Sequence, residues 1–117
     1  GEMYRDWTYV GDIVCGVIAA LERPLGYERL NLGRGQPVRM ADFVELVERL
    51  VGRPAVMETP PAPASEPKVT YADVSRATAL LGYRPSVTVE EGMQRFWGWY
   101  QEHVLSSRAA AGGTPQA

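Results

Sequence analysis

At 117 residues, 45% hydrophobic and 22% charged, the chain has the composition of a soluble globular protein with room for one hydrophobic core. Twelve basic against fourteen acidic side chains give a net charge of −2 with no Lys/Arg run, which excludes the electrostatic footprint of a nucleic-acid binder. No apolar stretch approaches the roughly 20 residues of a membrane span, no signal peptide is visible, and the single cysteine, Cys15, forbids an intramolecular disulfide; together these point to a reducing cytoplasm and to no membrane partner.

Residues 7–10 read as a short strand, because Trp, Thr, Tyr and Val suit a pleated, half-buried surface. Gly11 and Asp12 open a predicted helix running to about Arg23, stopped by Pro24. Ile13, Val14, Val17, Ile18 and Leu21 recur at helical spacing and define its expected buried face. Cys15, set among apolar neighbours, is expected to be a small buried hydrophobe. After a turn at Leu25 and Gly26, residues 27–32 read as a strand with Leu30 and Leu32 on one face. Gly33 and Gly35 mark a turn, and 37–40 a short edge strand.

Residues 41–51 form a predicted amphipathic helix whose stripe is Phe43, Val44, Val47, Leu50 and Val51. Asp42 and Glu45 sit in its first turn, where the helix dipole favours acids, and Gly52 ends it. Residues 55–58 read as another short strand. Thr59-Pro60-Pro61-Ala62-Pro63-Ala64-Ser65-Glu66-Pro67 holds four prolines in nine residues, which rules out helix and central strand and leaves an extended loop inside the domain.

Asp73 is placed as the cap of a short helix through Leu81, carrying Val74, Ala77, Leu80 and Leu81, with Gly82 in the left-handed position beyond it. Thr88-Val89-Glu90-Glu91 has the form of a capping box. Val89, Met93, Phe96, Trp97, Tyr100 and Val104 then line one face of the last helix, and its aromatic cluster reads as core packing rather than a ligand box. From Ser106, Ala, Gly, Ser and Pro dominate, so residues 106–117 are expected to be a disordered tail. Short strands alternating with about four helices predict an α/β fold or an α+β-like fragment of one.

Catalytic constellations are mostly absent. His103, the one histidine, lies on a polar stretch near the end of the last helix and reads as a surface residue. One His and one Cys far apart make no metal site. Gly33-Arg34-Gly35 lacks the third glycine and the following helix of a dinucleotide fingerprint, so it reads as a turn. Arg5 stands out: its planar fork suits phosphate oxygens, and it precedes a β-prone run leading into an acid-capped helix. Anion binding and a salt bridge, with Asp6 for instance, both fit that placement.

Four stretches, in order over residues 3–103, resemble one family as a set. They are Arg5-Asp6-Trp7-Thr8-Tyr9-Val10-Gly11-Asp12-Ile13; Tyr27-Glu28-Arg29-Leu30-Asn31-Leu32-Gly33-Arg34-Gly35; Pro67-Lys68-Val69-Thr70-Tyr71-Ala72-Asp73-Val74-Ser75; and Leu80-Leu81-Gly82-Tyr83-Arg84-Pro85 followed by Glu90-Glu91-Gly92 and Trp99-Tyr100. They resemble the C-terminal, sugar-nucleotide-binding portion of extended short-chain dehydrogenase/reductases, the NAD-dependent epimerases and dehydratases of nucleoside-diphosphate sugars. The wording is nearest UDP-glucuronate 4-epimerases.

The resemblance implies the C-terminal part of a Rossmann-type enzyme, with residues 1–105 as its sugar-nucleotide-binding region. It implies NAD as the parent enzyme's cofactor and a UDP-linked sugar as its substrate. In the family an N-terminal Rossmann domain precedes this motif, so the resemblance implies that domain as the expected partner of this region. Arg5 falls where the family contacts the diphosphate or nearby ribose. Where relatives often carry Arg-x-Gly-Asp, this chain has Pro63-Ala64-Ser65-Glu66: Glu66 keeps an acid for a ribose hydroxyl, while proline replaces the phosphate-gripping arginine. The family's catalytic Tyr-x-x-x-Lys pair is absent, since none of the six tyrosines has a lysine four residues on and the only lysine is Lys68. The expectation is a substrate-binding part with Arg5 and Glu66 as its site residues, no catalytic or metal residues, no NAD bound to this chain, and no activity alone. The rival expectation is a non-catalytic, self-associating module, because strand 27–32 without sheet neighbours presents unpaired edges and so invites a homo-oligomer.

Overall fold

The computed structural model describes residues 2–111. Strand β1 (Tyr4–Arg5) pairs antiparallel with β2 (Val38–Arg39), Tyr4 opposite Arg39 and Arg5 opposite Val38. A third segment joins from the other side: Tyr4 N donates to Lys68 O at 2.8 Å, Thr70 N donates to Tyr4 O at 3.2 Å, and Tyr4 and Val69 form a parallel bridge. Three stretches far apart in sequence therefore meet at Tyr4. The strand expected at 7–10 lies instead at Tyr4–Arg5. Residues 7–9 have the β propensity but no neighbouring backbone to pair with, and they lead straight into α1 (Val10–Glu22).

Helix α2 (Met40–Val51) ends at Gly52, whose φ of 76° suits a residue without a side chain. Helix α3 (Ser75–Leu81) has Val74, not the expected Asp73, at its cap position; Asp73 stands one residue earlier and its carboxylate accepts from Ser75 N at 3.0 Å and from Ser75 Oγ at 2.6 Å. Those two bonds hold the Asp73 carboxyl below its usual range. In α4 (Val89–Tyr100), Thr88 Oγ1 accepts from Glu91 N at 3.1 Å, one half of the expected capping box. The other half is lost because the Glu91 carboxylate turns to Arg95 at 2.7 Å. The chain continues through a π-helical stretch, Gln101–Leu105, into α5 (Ser106–Ala110). The expected disordered tail thus begins with a helix, and its portion from 112 lies outside the described residues.

The strands expected at 27–32 and 55–58 do not form. A strand exists only through a neighbour's N–H and C=O groups, and neither stretch is paired with another segment. The outcome is a partial α/β arrangement, with helices around a two-stranded ribbon.

The core cluster is Ala77, Leu81 and Tyr83, packed by Ala19, Leu25, Leu30, Leu32 and Val74. Helix α1 reaches it at Gly16, where a Cβ would stand 2.8 Å from Leu32 Cδ2 and 3.1 Å from Tyr83 Cδ1. A larger residue there would have to displace the Leu32 methyls. The rest of α1 reverses expectation: Val14, Val17 and Ile18 are about half exposed, Leu21 is 80% exposed, and Cys15 is exposed too. The helix buries Asp12 and Gly16 instead. Periodicity correctly marks an apolar stripe, but burial needs a second surface, and none of the described residues supplies it. The radius of gyration, 17.9 Å, agrees: a compact chain of this length has about 13 Å.

Candidate functional site

Arg5 and Glu66, the two residues singled out in the sequence, touch each other. Arg5 Nη2 donates to Glu66 Oε1 at 3.0 Å, while Arg5 Nη1 donates to Tyr4 O at 2.7 Å. The β1 ladder positions the arginine, and the proline-rich loop delivers the glutamate across 61 intervening steps of sequence. The pair is accessible, with side-chain exposures of 24% for Arg5 and 43% for Glu66. Met3, Asp6, Trp7 and Met40 complete an open cavity of about 440 Å³ around it. The site is therefore a cation already countered by a carboxylate, at the rim of an apolar hollow.

A second cavity of about 520 Å³ shares Trp7 and is lined by Tyr9, Phe43, Met93, Phe96 and Trp99 among others. Trp7 stacks on Phe43 with ring centres 3.9 Å apart, and Arg95 lies 5.2 Å over the Tyr9 ring. Phe96 and Trp99 are half exposed on this groove. Phe96 and Trp99 are thus not the core packing that the helix spacing suggested; they line the open cavity, while Trp97 and Tyr100 are half-buried and stack on each other.

Asp6 does not pair with Arg5. Its carboxylate accepts backbone N–H groups from Arg34 at 3.2 Å, Gly35 at 2.9 Å and Ala72 at 3.0 Å, and the Thr8 hydroxyl at 3.4 Å. The Arg34 and Gly35 amides of the Gly33-Arg34-Gly35 turn are therefore spent on Asp6. Asp12, 7% exposed, does the same for the loop before α4, accepting from Ser86 N at 3.2 Å and Val87 N at 3.1 Å. Arg34 Nη1 donates to Val87 O at 2.6 Å, and the buried Tyr83 hydroxyl to Gly33 O at 2.6 Å. Burial, then the charges of Asp12 and Asp6, push the Tyr83 phenol above its usual pKa.

The bonds that Asp6, Asp12 and Tyr83 make to distant backbone were missed by sequence reasoning. His103 is exposed, with Nδ1 3.1 Å from Trp99 O. Among the described residues no group of His, Cys, Asp and Glu is arranged to hold a metal, and no helix is long and apolar enough to cross a membrane.

No protein-family profile matches the chain. It is 42% identical over 105 residues, 89% of its length, to UDP-glucuronate 4-epimerase of Thermodesulfobacterium geofontis. It is 35% identical over 122 residues to a probable UDP-glucuronate 4-epimerase of Rhizobium meliloti. It superposes on UDP-glucuronic acid 4-epimerase from Bacillus cereus, in complex with UDP-glucuronic acid and NAD, with a TM-score of 0.77 and 31% identity over 87% of this chain and 33% of that one. An epimerase from Methanothermobacter thermautotrophicus matches with a TM-score of 0.83 and 30% identity over 94% of this chain and 33% of that one. The chain spans about a third of the length of the curated relatives it matches. It is thus homologous, over most of its length, to one part of the UDP-glucuronate 4-epimerases, and its fold is a portion of the Rossmann-type extended short-chain dehydrogenase/reductase fold.

Proposed function

We propose that this chain is the nucleotide-sugar-binding part of an NAD-dependent UDP-sugar epimerase, with Arg5 and Glu66 as its ligands to the UDP moiety. The observation that carries the reading is the accessible Arg5–Glu66 pair, placed on a stretch homologous to enzymes that act on UDP-glucuronate. A diphosphate oxygen replaces the Glu66 carboxylate on the Arg5 fork, trading one charge-assisted bond for another. The released carboxylate then accepts a ribose hydroxyl. The exchange costs little, because an exposed ion pair contributes about 0–1 kcal/mol. Pro63, in place of a second arginine, leaves the diphosphate without that contact.

The contribution of such a part to catalysis is positioning: it holds the nucleotide so that the sugar carbon meets its reaction partner. Hydride chemistry belongs to NAD on residues outside this chain, since the 34–35 amides are occupied by Asp6 and no tyrosine has a lysine four residues on. Calorimetric titration with UDP tests the reading. Arg5→Ala weakens UDP binding roughly tenfold or more, the loss of a hydrogen bond to a charged group. Unchanged affinity removes Arg5 from the site. Incubation of the chain with NAD and UDP-glucuronate yields no epimer; turnover would show that the catalytic groups lie within it after all.

The exposed stripe of Val14, Val17, Ile18 and Leu21 supports a second reading, a self-associating module without catalysis. Size-exclusion chromatography with and without UDP separates the two. A monomer stabilised thermally by UDP supports the first, and an oligomer indifferent to it the second.

A further inference from the structure

The Arg5–Glu66 clamp joins a short strand to an exposed, proline-rich loop, so its span depends on what ties the loop down. Two ties are backbone bonds to Tyr4, from Thr70 N and to Lys68 O. The third is Asp6. Its Oδ2 accepts from Ala72 N and Gly35 N, and its Oδ1 from Arg34 N and Thr8 Oγ1, so both oxygens are fully engaged. The surroundings are closed: a Cβ on Gly33 would lie 2.7 Å from Ala72 Cβ and 2.8 Å from Asp6 Oδ2. One side chain thus binds the base of the Glu66 loop and the 33–35 turn to the residue beside Arg5.

We infer that Asp6, at the edge of the Arg5–Glu66 cavity with both carboxylate oxygens spent on backbone and Thr8 donors, is a positioning residue for nucleotide binding that sets the distance and angle between the Arg5 fork and the Glu66 carboxylate. The inference rests on the reading of Arg5 and Glu66 as nucleotide ligands. A carboxylate is required because every group facing it is a donor. An amide in its place turns one oxygen into an N–H directed at other N–H groups.

A double-mutant cycle on the full chain tests this, with UDP affinity by calorimetry and melting temperature recorded for each variant. Asp6→Asn weakens UDP roughly tenfold, the size of a misaligned charge-assisted contact. Arg5→Lys keeps the charge and measurable binding but drops the directional fork, so in that background Asp6→Asn costs less than about twofold. A purely structural role predicts the same loss in both backgrounds and overturns the inference, as does wild-type affinity in Asp6→Asn. Should Asp6→Asn fail to fold, Gly33→Ala carries the test: it pushes on the Asp6–Ala72 contact with the carboxylate intact, and its loss of affinity shrinks in the same way in the Arg5→Lys background. If the unmodified chain binds no UDP, the nucleotide reading itself fails, an outcome distinct from equal losses in the two backgrounds.

Discussion

Helices α1 and α3 pack into a closed half of the molecule, and α2 and α4 into an open one. In the closed half Ala77 is fully buried, Tyr83 4% and Asp12 7% exposed, and the polar groups are satisfied by backbone partners 50 to 75 residues away. In the open half Trp7 and Phe43 stack at the edge of an unfilled groove, and the charges pair along the surface, as Arg39 with Asp42 and Arg95 with Glu91 do. A buried carboxylate that accepts two backbone amides resists exchange because removal takes away their fixed acceptor, whereas an exposed ion pair exchanges partners freely. Stability is therefore concentrated in the closed half. The clamp stands where partners can change.

Breaking the closed half gives the largest effect. Asp12→Ala leaves the Ser86 and Val87 amides unpaired and lowers stability by about 3 kcal/mol in urea unfolding. A loss no greater than that of a surface substitution would erase the contrast. Tyr83→Phe strands the Gly33 carbonyl and costs about 2 kcal/mol by the same measurement.

Tyr83 also gives the closed half an alkaline limit. Its folded pKa is raised, so its contribution is complete below the unfolded tyrosine value of about 10 and is lost as pH rises through the folded value. Melting temperature against pH falls on that limb in the wild type, and less steeply in Tyr83→Phe. Smaller again is Thr88→Ala, which removes the α4 cap for about 1 kcal/mol, read as a shift in urea midpoint. Smallest for stability is Glu66→Gln, under about 1 kcal/mol. The same variant alters UDP affinity, and that separation of stability from binding is what the open half predicts.

Much of the fold was legible where the signal is local. The spans of α2, α3 and α4 follow from 3.6-residue periodicity, the glycines at 52 and 82, and the hydroxyl of Thr88, all acting within a turn or two of chain. The strand at 27–32, the burial of Cys15 and the buried face of α1 were misread because each depends on a surface brought from elsewhere. Family resemblance singled out Arg5 and Glu66 as candidate ligands. Their mutual contact was not legible, nor was the role of Asp6, whose partners lie 28 to 66 residues away.

By itself, then, the sequence determined the helices, the glycines that end two of them, the Thr88 hydroxyl cap, the proline-rich loop and the lack of a catalytic tyrosine–lysine pair, because each is a property of neighbours along the chain. Tertiary structure alone decided that Glu66 meets Arg5, that Asp6 and Asp12 spend their charge on backbone amides, and that α1 keeps its apolar stripe exposed. Those outcomes turn on which distant donor or surface arrives within hydrogen-bond or van der Waals reach. Residue spacing along a chain carries no measure of that distance.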